Sequence, residues 1–267
     1  MPTRLLCIGD IHLGKRPAEL PEHIEQYGVS AAVLSPVQAW RNTVQWALDN
    51  DVHAALLAGD VVHRSEDRFE AYGHLAEGVR RLVDAGIPVC AVAGNHDSLA
   101  LPRLAAQIPE VRLLGRGGRW ELLELTARNG SAVQLAGWSF PTQHVTANPL
   151  DSFDLTPDPD LPSIGLIHCD LDASTSRFAP VRRSDFARAL LDFWALGHIH
   201  IPSELQPGDR FGYLGSLVGL DPGETGCRGP WLLTVEDDRR LRPEPAAATP
   251  PGPCPRVGLP GSSRALT

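Results

Sequence analysis

The sequence has no two cysteines at CxxC spacing, no apolar run long enough to cross a bilayer, and no leader segment before its first apolar stretch. The last two absences argue against membrane insertion and export. Three of the five cysteines, Cys7, Cys90 and Cys169, lie within apolar runs. We therefore expect reduced core thiols in a cytoplasmic protein that has no membrane contact.

The chain also lacks an excess of positive charge. Its 267 residues include 32 acidic and 24 basic side chains, which gives a formal net charge of −8. No global positive field is available to hold nucleic acid, so a polyanionic partner has to meet a local basic patch or bound cations. The length and the 43% hydrophobic content predict one globular domain with a large core.

Short apolar runs alternate with helical patterns over the first hundred residues. Strands are predicted at 4–9, 52–58 and 87–93, with helices at 36–49 and about 68–85, where Phe69 belongs to the apolar stripe. This β-α-β-α-β order predicts a parallel sheet, whose ligands lie at the carboxyl ends of its strands. Residues 13–34 are irregular and predict a loop beside the active site.

The pattern changes beyond residue 110. Alternating segments at 120–125 and 132–138, separated by Asn129-Gly130, predict a hairpin and a second, more antiparallel sheet. A helix opened by Ser184 is expected to bury Phe186 and Leu190. The Pro-, Gly- and Ala-rich segment 243–267 predicts a disordered tail after a catalytic domain at 1–242.

Five predicted strands end in metal-competent side chains, often directly after a glycine. The candidate ligands at these ends are Asp10, His12, Asp60, Asn95, His168, His198 and His200. The stretch Gly94-Asn95-His96-Asp97 taken alone also suits a solvated turn. The repetition of the same design at five strand ends favours chemistry instead.

These candidates supply only oxygen and nitrogen donors. Such a set fits two octahedral ions, of which Mn²⁺ is the first choice and Fe or Zn the others, with Asp60 as a natural bridge. Two neighbouring cations suit hydrolysis of a phosphoester. A single zinc ion held by His198, His200 and Cys169 is the alternative, but it leaves Asp10, Asp60 and Asn95 unexplained.

In their order along the chain, these motifs resemble the calcineurin-like metallophosphoesterase superfamily over residues 5 to about 237. Two stretches, His12-Leu13-Gly14 and Gly59 to His63, are similar to DNA-repair exonucleases of the Mre11/SbcD type, which carry a histidine three residues after the bridging aspartate. The serine/threonine phosphatases of the superfamily carry Asp-Arg-Gly after that aspartate and GNHE later. Here the sequence reads His63-Arg64-Ser65 and GNHD.

The resemblance implies a four-layer α/β/β/α sandwich of two mixed sheets flanked by helices. It implies that one ion is bound by Asp10, His12, Asp60 and His200 and the other by Asp60, Asn95, His168 and His198. His96 is then a proton donor to the leaving oxygen or a stabilising charge. Asp97 is expected to orient His96, and His63 to position nucleic acid.

The resemblance further implies a metal-dependent phosphodiesterase that hydrolyses DNA and takes part in DNA repair. Basic side chains expected to bind phosphates near the strand ends are Lys15, Arg16, Arg64, Arg68, Arg177, Arg182 and Arg183. The acidic composition equally suits a small nucleotide or other phosphoester as substrate. Full-size relatives carry a helical docking segment for an SbcC-like ATPase, which the Pro-rich sequence after residue 242 does not resemble, so a stable complex of that kind is not expected.

Overall fold

The computed structural model describes residues 1–16, 35–206, 208–221, 223–224 and 226–246. The helices are α1 (Pro36–Asp49), α2 (Arg68–Asp84), α3 (Ala100–Gln107) and the single turn α4 (Arg183–Phe186). The strands are β1 (Thr3–Ile8), β2 (Ala54–Ala58), β3 (Val89–Val92), β4 (Val111–Leu113), β5 (Glu121–Thr126), β6 (Ala132–Trp138), β7 (Ser163–His168), β8 (Asp170–Leu171), β9 (Pro180–Val181), β10 (Phe193–Gly197), β11 (Phe211–Tyr213), β12 (Trp231–Val235) and β13 (Leu241–Pro245).

The first sheet has the strand order β13-β12-β1-β2-β3-β4. Strands β1 to β4 run parallel, whereas β12 and β13 extend the sheet in antiparallel pairs beyond β1. The predicted β-α-β-α-β alternation is confirmed. Parallel strands place their carboxyl ends at one edge, so the polar residues that follow β1, β2 and β3 share that edge.

The second sheet has the order β11-β10-β7-β6-β5. The hairpin predicted around Asn129-Gly130 is confirmed by the antiparallel β5–β6 pair. The expectation of a more antiparallel second sheet is wrong, because β6, β7, β10 and β11 run parallel to one another. Long connections join these buried apolar strands, as parallel pairing requires.

Alternation along each strand divides the core into layers. In β1, Leu5 and Cys7 face the second sheet, while Leu6 and Ile8 face the helices. Helices α1, α2 and α3 cover the outer face of the first sheet. The predicted arrangement of two mixed sheets is confirmed, but the outer layer over the second sheet consists mainly of loops, short turns and α4.

Local signals explain how α1 and α2 are fixed on the first sheet. Ser35 caps α1 by accepting a hydrogen bond from the Gln38 N–H, and Pro36 occupies the first turn. The fully buried Trp40 donates its indole N–H to the carbonyl oxygen of His74 in α2 at 3.0 Å. A side chain at Gly78 would meet that indole at 2.4 Å, so only glycine allows the two helices to approach this closely.

Two predicted core positions are wrong. Phe69 is 80% exposed because it lies at the start of α2, and Leu190 is 75% exposed because the helix opened near Ser184 ends at Phe186. Strand β13 runs to Pro245, so the predicted domain boundary at residue 242 falls inside a strand paired with β12. The interpretations of residues 17–34 and 247–267 lie outside the described residues.

The cysteines and the helices bear on the expected free thiols and on membrane insertion. Cys7, Cys90 and Cys169 are free and buried, as expected. Among the described helices, none combines the length and the apolar character that crossing a membrane requires.

Candidate metal centre

The seven predicted ligand residues lie at one rim, where the carboxyl ends of strands from both sheets meet. Asp10 and His12 follow β1, Asp60 follows β2, Asn95 follows β3, His168 ends β7, and His198 and His200 follow β10. Hydrogen bonds to main-chain groups join the sheets here. The His198 N–H donates to Asp10 Oδ2 at 3.1 Å, and His168 Nδ1 lies 3.1 Å from the Ala58 carbonyl oxygen.

One group of donors surrounds Nε2 of His12. This nitrogen lies 3.1 Å from His200 Nε2, 3.9 Å from Asp10 Oδ1 and 3.8 Å from Asp60 Oδ2. His200 Nε2 is itself 4.0 Å from Asp10 Oδ1. The donor atoms of Asp10, His12 and His200 all lie within 4.8 Å of one another, so they could hold a single ion.

A second group surrounds Nε2 of His168, which is 3.0 Å from Asn95 Oδ1 and 3.3 Å from Asp60 Oδ2. The ring of His198 packs edge-on against that of His168, with centroids 5.2 Å apart. Asp60 Oδ2 is therefore near donors of both groups. A carboxylate in that position can bridge two cations, which is the role that the sequence predicts for Asp60.

Two of these histidines have the lowered pKa values that suit metal ligands, which have to offer lone pairs. Burial lowers the pKa of His12 well below its usual value, and burial together with the charge of His168 lowers that of His198 to about 3. Burial also acts to lower the pKa of His168, but the charge of Asp60 outweighs it and raises that pKa to about 9. Burial raises the pKa of Asp10 to about 8; the charge of His168 opposes this rise and that of Asp60 reinforces it. Adjacent buried carboxylates need positive charge, which divalent cations would supply.

The donor chemistry is compatible with all three metals that the sequence suggests. Carboxylate, amide and imidazole donors suit Mn²⁺, Fe and Zn²⁺. The alternative zinc site that uses Cys169 does not fit. The side chain of Cys169 points to the opposite face from that of His168 and packs into the core on the outer side of the second sheet. Burial raises the pKa of its thiol well above the usual value.

The backbone at this rim is strained. Four candidate ligands have left-handed φ angles: 45° at Asp10, 53° at His12, 49° at Asp60 and 105° at His198. Such conformations cost about 1–3 kcal/mol each in non-glycine residues and persist where the surrounding structure imposes them. Their concentration among the candidate ligands supports a functional site over a set of ordinary turns.

Glycines allow the strand ends to approach one another. A Cβ atom at Gly94 would lie 2.2 Å from Asp60 Oδ1, and one at Gly197 would lie 2.0 Å from the Ala58 carbonyl oxygen and 2.6 Å from His168 Nδ1. The glycine before His198 thus allows the two sheets to pack closely beneath the candidate ligands, and the glycine before Asn95 allows the loops after β2 and β3 to do the same.

His63 and His96 form a stacked pair at the edge of the first donor group. Their ring centroids are 5.4 Å apart with an interplanar angle of 19°, and the His96 ring is 5.0 Å from that of His12. His96 Nδ1 lies 2.9 Å from the His63 carbonyl oxygen, which can only accept, so Nδ1 carries a proton and Nε2 remains available. Both rings are half-buried, so they remain partly open to solvent.

The profile of the calcineurin-like phosphoesterase family matches residues 3–202, which contain all seven candidate ligands and the His63–His96 pair. The chain belongs to this family. Calcineurin-like phosphoesterases are binuclear metal hydrolases, and the two donor groups that meet at Asp60 agree with a binuclear site.

Two relatives and one solved structure add detail to the family assignment. The chain is 31% identical over 253 residues to the DNA double-strand break repair protein Mre11 of Haloferax volcanii, covering 88% of this chain and 50% of that protein. It is 26% identical over 200 residues to the uncharacterized metallophosphoesterase YhaO of Bacillus subtilis, covering 73% of this chain and 48% of that protein. The chain therefore spans about half the length of these relatives. The calcineurin-like phosphoesterase YfkN from Bacillus subtilis shares the fold, with a TM-score of 0.53 at 12% identity, covering 90% of this chain and 87% of that one.

Asp97 has a different role in this phosphoesterase from the one expected. Its buried carboxylate accepts hydrogen bonds from the backbone N–H groups of Val61 (2.7 Å), Val62 (3.3 Å) and Gly94 (2.7 Å). The expectation that Asp97 orients His96 is wrong, because the imidazole of His96 is oriented by the His63 carbonyl oxygen. Asp97 instead fixes the loop after β2 against the loop after β3.

Sequence reasoning missed two acidic residues beside the candidate ligands of this phosphoesterase. Glu224 Oε1 lies 2.5 Å from His200 Nδ1, and Asp170 Oδ2 lies 3.9 Å from His198 Nε2. Glu224 lies 24 positions from its partner in a Gly- and Pro-rich segment, so no local pattern marks it. Asp170 follows His168-Cys169 directly and could have been found as a further acid at a strand end.

Proposed function

We propose that this chain is a Mn²⁺-dependent phosphodiesterase that hydrolyses the phosphodiester bonds of DNA. The observation that carries the proposal is the stacked His63–His96 pair beside two donor groups that share Asp60. An assisting imidazole next to the cations suits a leaving group that needs a proton, such as a nucleoside oxygen. The similarity to the Mre11 protein of Haloferax volcanii, named for DNA double-strand break repair, supports DNA as the substrate and repair as the context.

In this proposal one ion is held by Asp10, His12, Asp60 and His200, and the other by Asp60, Asn95, His168 and His198. When bound, the two cations lower the pKa of water and neutralise charge on the phosphoryl group. The chain contributes rigidity, because the glycine contacts, the Asp97 hydrogen bonds and the strained backbone fix the donor atoms before any ion arrives.

His96 donates a proton to the leaving oxygen in this proposal. Its Nδ1–H is engaged by the His63 carbonyl oxygen, which fixes the ring plane. In the imidazolium form the ring also carries a proton on Nε2, and this second proton passes to the leaving oxygen, which leaves the ring neutral with its proton on Nδ1. His63 lies against the same ring and within 3.3 Å, Nδ1 to Nδ1, of His12. We assign His63 to positioning the nucleic acid over the candidate ligands.

The test compares substrates on the purified chain loaded with Mn²⁺. Labelled single- and double-stranded DNA and bis(p-nitrophenyl) phosphate are incubated with the wild type and with Asp60→Asn. The proposal predicts metal-dependent cleavage of DNA that is lost in the variant. Hydrolysis of the small diester without any cleavage of DNA would reject DNA as substrate and favour the small phosphoester that the acidic composition suits.

A further inference from the structure

A cavity of about 710 Å³ lies between β4 and β5, the edge strands of the two sheets. Its charged wall is formed by Arg112, Arg116, Arg119 and Glu121, and Trp120 adds an aromatic surface. None of these residues belongs to the candidate metal centre.

The charge of this cavity opposes that of the whole chain. Three arginines face one glutamate there, on a protein with a formal net charge of −8. Arg112 donates to Glu121 Oε1 at 2.7 Å, and Glu121 Oε2 accepts the Gly115 N–H at 3.0 Å, so one carboxylate fixes both a guanidinium and the loop. Arg116 and Arg119 are exposed, and no carboxylate in the described ranges pairs with either of them.

Two basic residues near the candidate metal centre, Lys15 and Arg183, are less available than Arg116 and Arg119. Lys15 pairs with Asp221 at 3.1 Å, and Arg183 pairs with Asp172 at 2.9 Å. An anionic ligand would have to displace those carboxylates. In the cavity, an anion could bind the guanidinium groups of Arg116 and Arg119 without displacing a carboxylate.

The loop between β4 and β5 holds Arg116 and Arg119 at the rim of the cavity. In the run Gly115-Arg116-Gly117-Gly118-Arg119, the three glycines have φ angles of 66°, 73° and 74°. A Cβ atom at Gly117 would meet nothing within 4 Å, so space alone does not require glycine there. The left-handed backbone does, and it turns the chain tightly enough to present both arginines along one wall.

Hydrogen bonds connect this wall to the loop that bears Asn95. The Ser139 N–H donates to the Gly115 carbonyl oxygen at 3.1 Å, and Ser139 Oγ accepts the Ala93 N–H at 2.9 Å. The Phe140 N–H donates to the Ala93 carbonyl oxygen at 3.1 Å. Ala93 is two residues from Asn95, so the cavity and the metal centre belong to one continuous rim.

We propose that the cavity bounded by Arg112, Arg116 and Arg119 binds the phosphodiester backbone of a single-stranded segment whose cleaved end lies at the metal centre. This inference rests on the proposed function. Arginine forks bind phosphate oxygens bidentately, and the half-buried Trp120, whose ring also packs against Phe153 and Trp194, leaves part of its surface for a base or sugar. Trp120 is held for that contact because its indole N–H donates to the Pro149 carbonyl oxygen at 2.9 Å.

The test uses the double variant Arg116→Ala/Arg119→Ala and a charge-matched control, Arg80→Ala/Arg242→Ala. The control residues are exposed and lie on α2 and on β13, the edge of the first sheet opposite β4. Binding of a fluorescent single-stranded phosphorothioate oligonucleotide to the Mn²⁺-loaded proteins is followed by anisotropy over a series of salt concentrations. Turnover of an ordinary oligonucleotide and of bis(p-nitrophenyl) phosphate is measured in parallel.

Loss of two phosphate contacts should reduce the slope of log Kd against log salt by about 1.4, at about 0.7 per contact for single strands. The Kd should rise roughly tenfold, and the ratio of oligonucleotide turnover to small-diester turnover should fall by a similar factor, with no change in the control. A wild type that cleaves DNA, together with a double variant that matches the control in Kd and slope, would overturn the cavity assignment alone.

Two other outcomes are distinguishable. A wild type that hydrolyses the small diester but neither binds nor cleaves the oligonucleotide overturns the proposed function, and the cavity assignment with it. If titration shows that inorganic phosphate binds to the wild type and not to the double variant, while both have the same salt slope for the oligonucleotide, the cavity binds free phosphate and the strand assignment is wrong.

Discussion

Replacing Glu224 with alanine should weaken the binding of one metal ion and spare the other. Glu224 Oε1 lies 2.5 Å from His200 Nδ1, and its second oxygen accepts the Leu220 N–H at 2.8 Å. The carboxylate is therefore fixed on both sides. It holds the proton of His200 on Nδ1 and leaves the lone pair on Nε2, the nitrogen that lies 3.1 Å from His12 Nε2.

The size of the effect follows from the environment of this contact. The side chain of Glu224 is 15% exposed and that of His200 is 23% exposed, so water replaces the lost carboxylate only in part. Removal of a carboxylate that orients a ligating histidine typically weakens metal affinity by about 10- to 100-fold. We expect this loss at the ion held by Asp10, His12 and His200. The ion held by Asn95, His168 and His198 should be unaffected, because Glu224 contacts none of these three.

Isothermal titration of the metal-free protein with Mn²⁺ separates the two binding events. Glu224→Gln keeps an oxygen that can accept from Nδ1 and should lose less affinity than Glu224→Ala. Glu204→Ala removes an exposed carboxylate four positions from His200 and should change neither event. Equal weakening of both ions, or unchanged affinity in Glu224→Ala, would refute the claim that this contact prepares His200 for metal binding.

Four further predictions concern the metal centre and its surroundings. Asp60→Asn should reduce the metal content below two ions per chain and weaken both binding events, as measured by metal analysis and titration; a variant that still binds two ions would rule out a bridging Asp60. His96→Ala should keep both ions and the fold while turnover on DNA falls by roughly 10²–10⁴-fold, with a smaller loss on nitrophenyl esters. Loss of metal in this variant would contradict the role of His96 as a proton donor. His63→Ala should impair DNA cleavage more than ester hydrolysis. Gly94→Ala should destabilise the fold by about 1–3 kcal/mol in urea unfolding, because the new methyl group overpacks against Asp60, whereas Gly73→Ala, which meets nothing within 4 Å, should not. Mn²⁺ at about 100 times its Kd should stabilise the fold by about 2.7 kcal/mol and raise the melting temperature by roughly 5–11 °C; no shift would mean that the folded chain does not bind the ion.

The candidate ligands could be found from the sequence because each follows a buried strand. Apolar runs predict β1, β2, β3, β7 and β10, and parallel pairing then places their carboxyl ends at one edge. This reasoning needs only the order of elements and no knowledge of distances. The prediction of strand direction failed for the second sheet, because the alternating pattern of the β5–β6 hairpin does not determine whether the following strands pair parallel or antiparallel.

Contacts between distant segments could not be predicted in the same way. Glu224 reaches His200 from a Gly- and Pro-rich segment, and Arg116 is brought to the rim by a turn between two edge strands. The misassigned Asp97 shows the same limit. Its neighbour His96 is adjacent in sequence, but its carboxylate is satisfied by the backbone of Val61, 36 positions away.

Hydrogen bonds between the loops after β2 and β3 explain why the solvated-turn interpretation of the GNHD stretch fails. A turn formed only to satisfy its own side chains would bond Asp97 through local contacts alone, such as the Gly94 N–H that it accepts at 2.7 Å, and would leave Asp60 free. Instead the His96 N–H donates to Asp60 Oδ1 at 2.9 Å, while Asp97 accepts N–H groups from the loop that follows Asp60. The carboxylate of each loop thus accepts hydrogen bonds from the backbone of the other loop. Because each acid is fixed by the backbone of the other loop, Asp60 keeps its left-handed φ of 49° and presents Oδ2 to both donor groups.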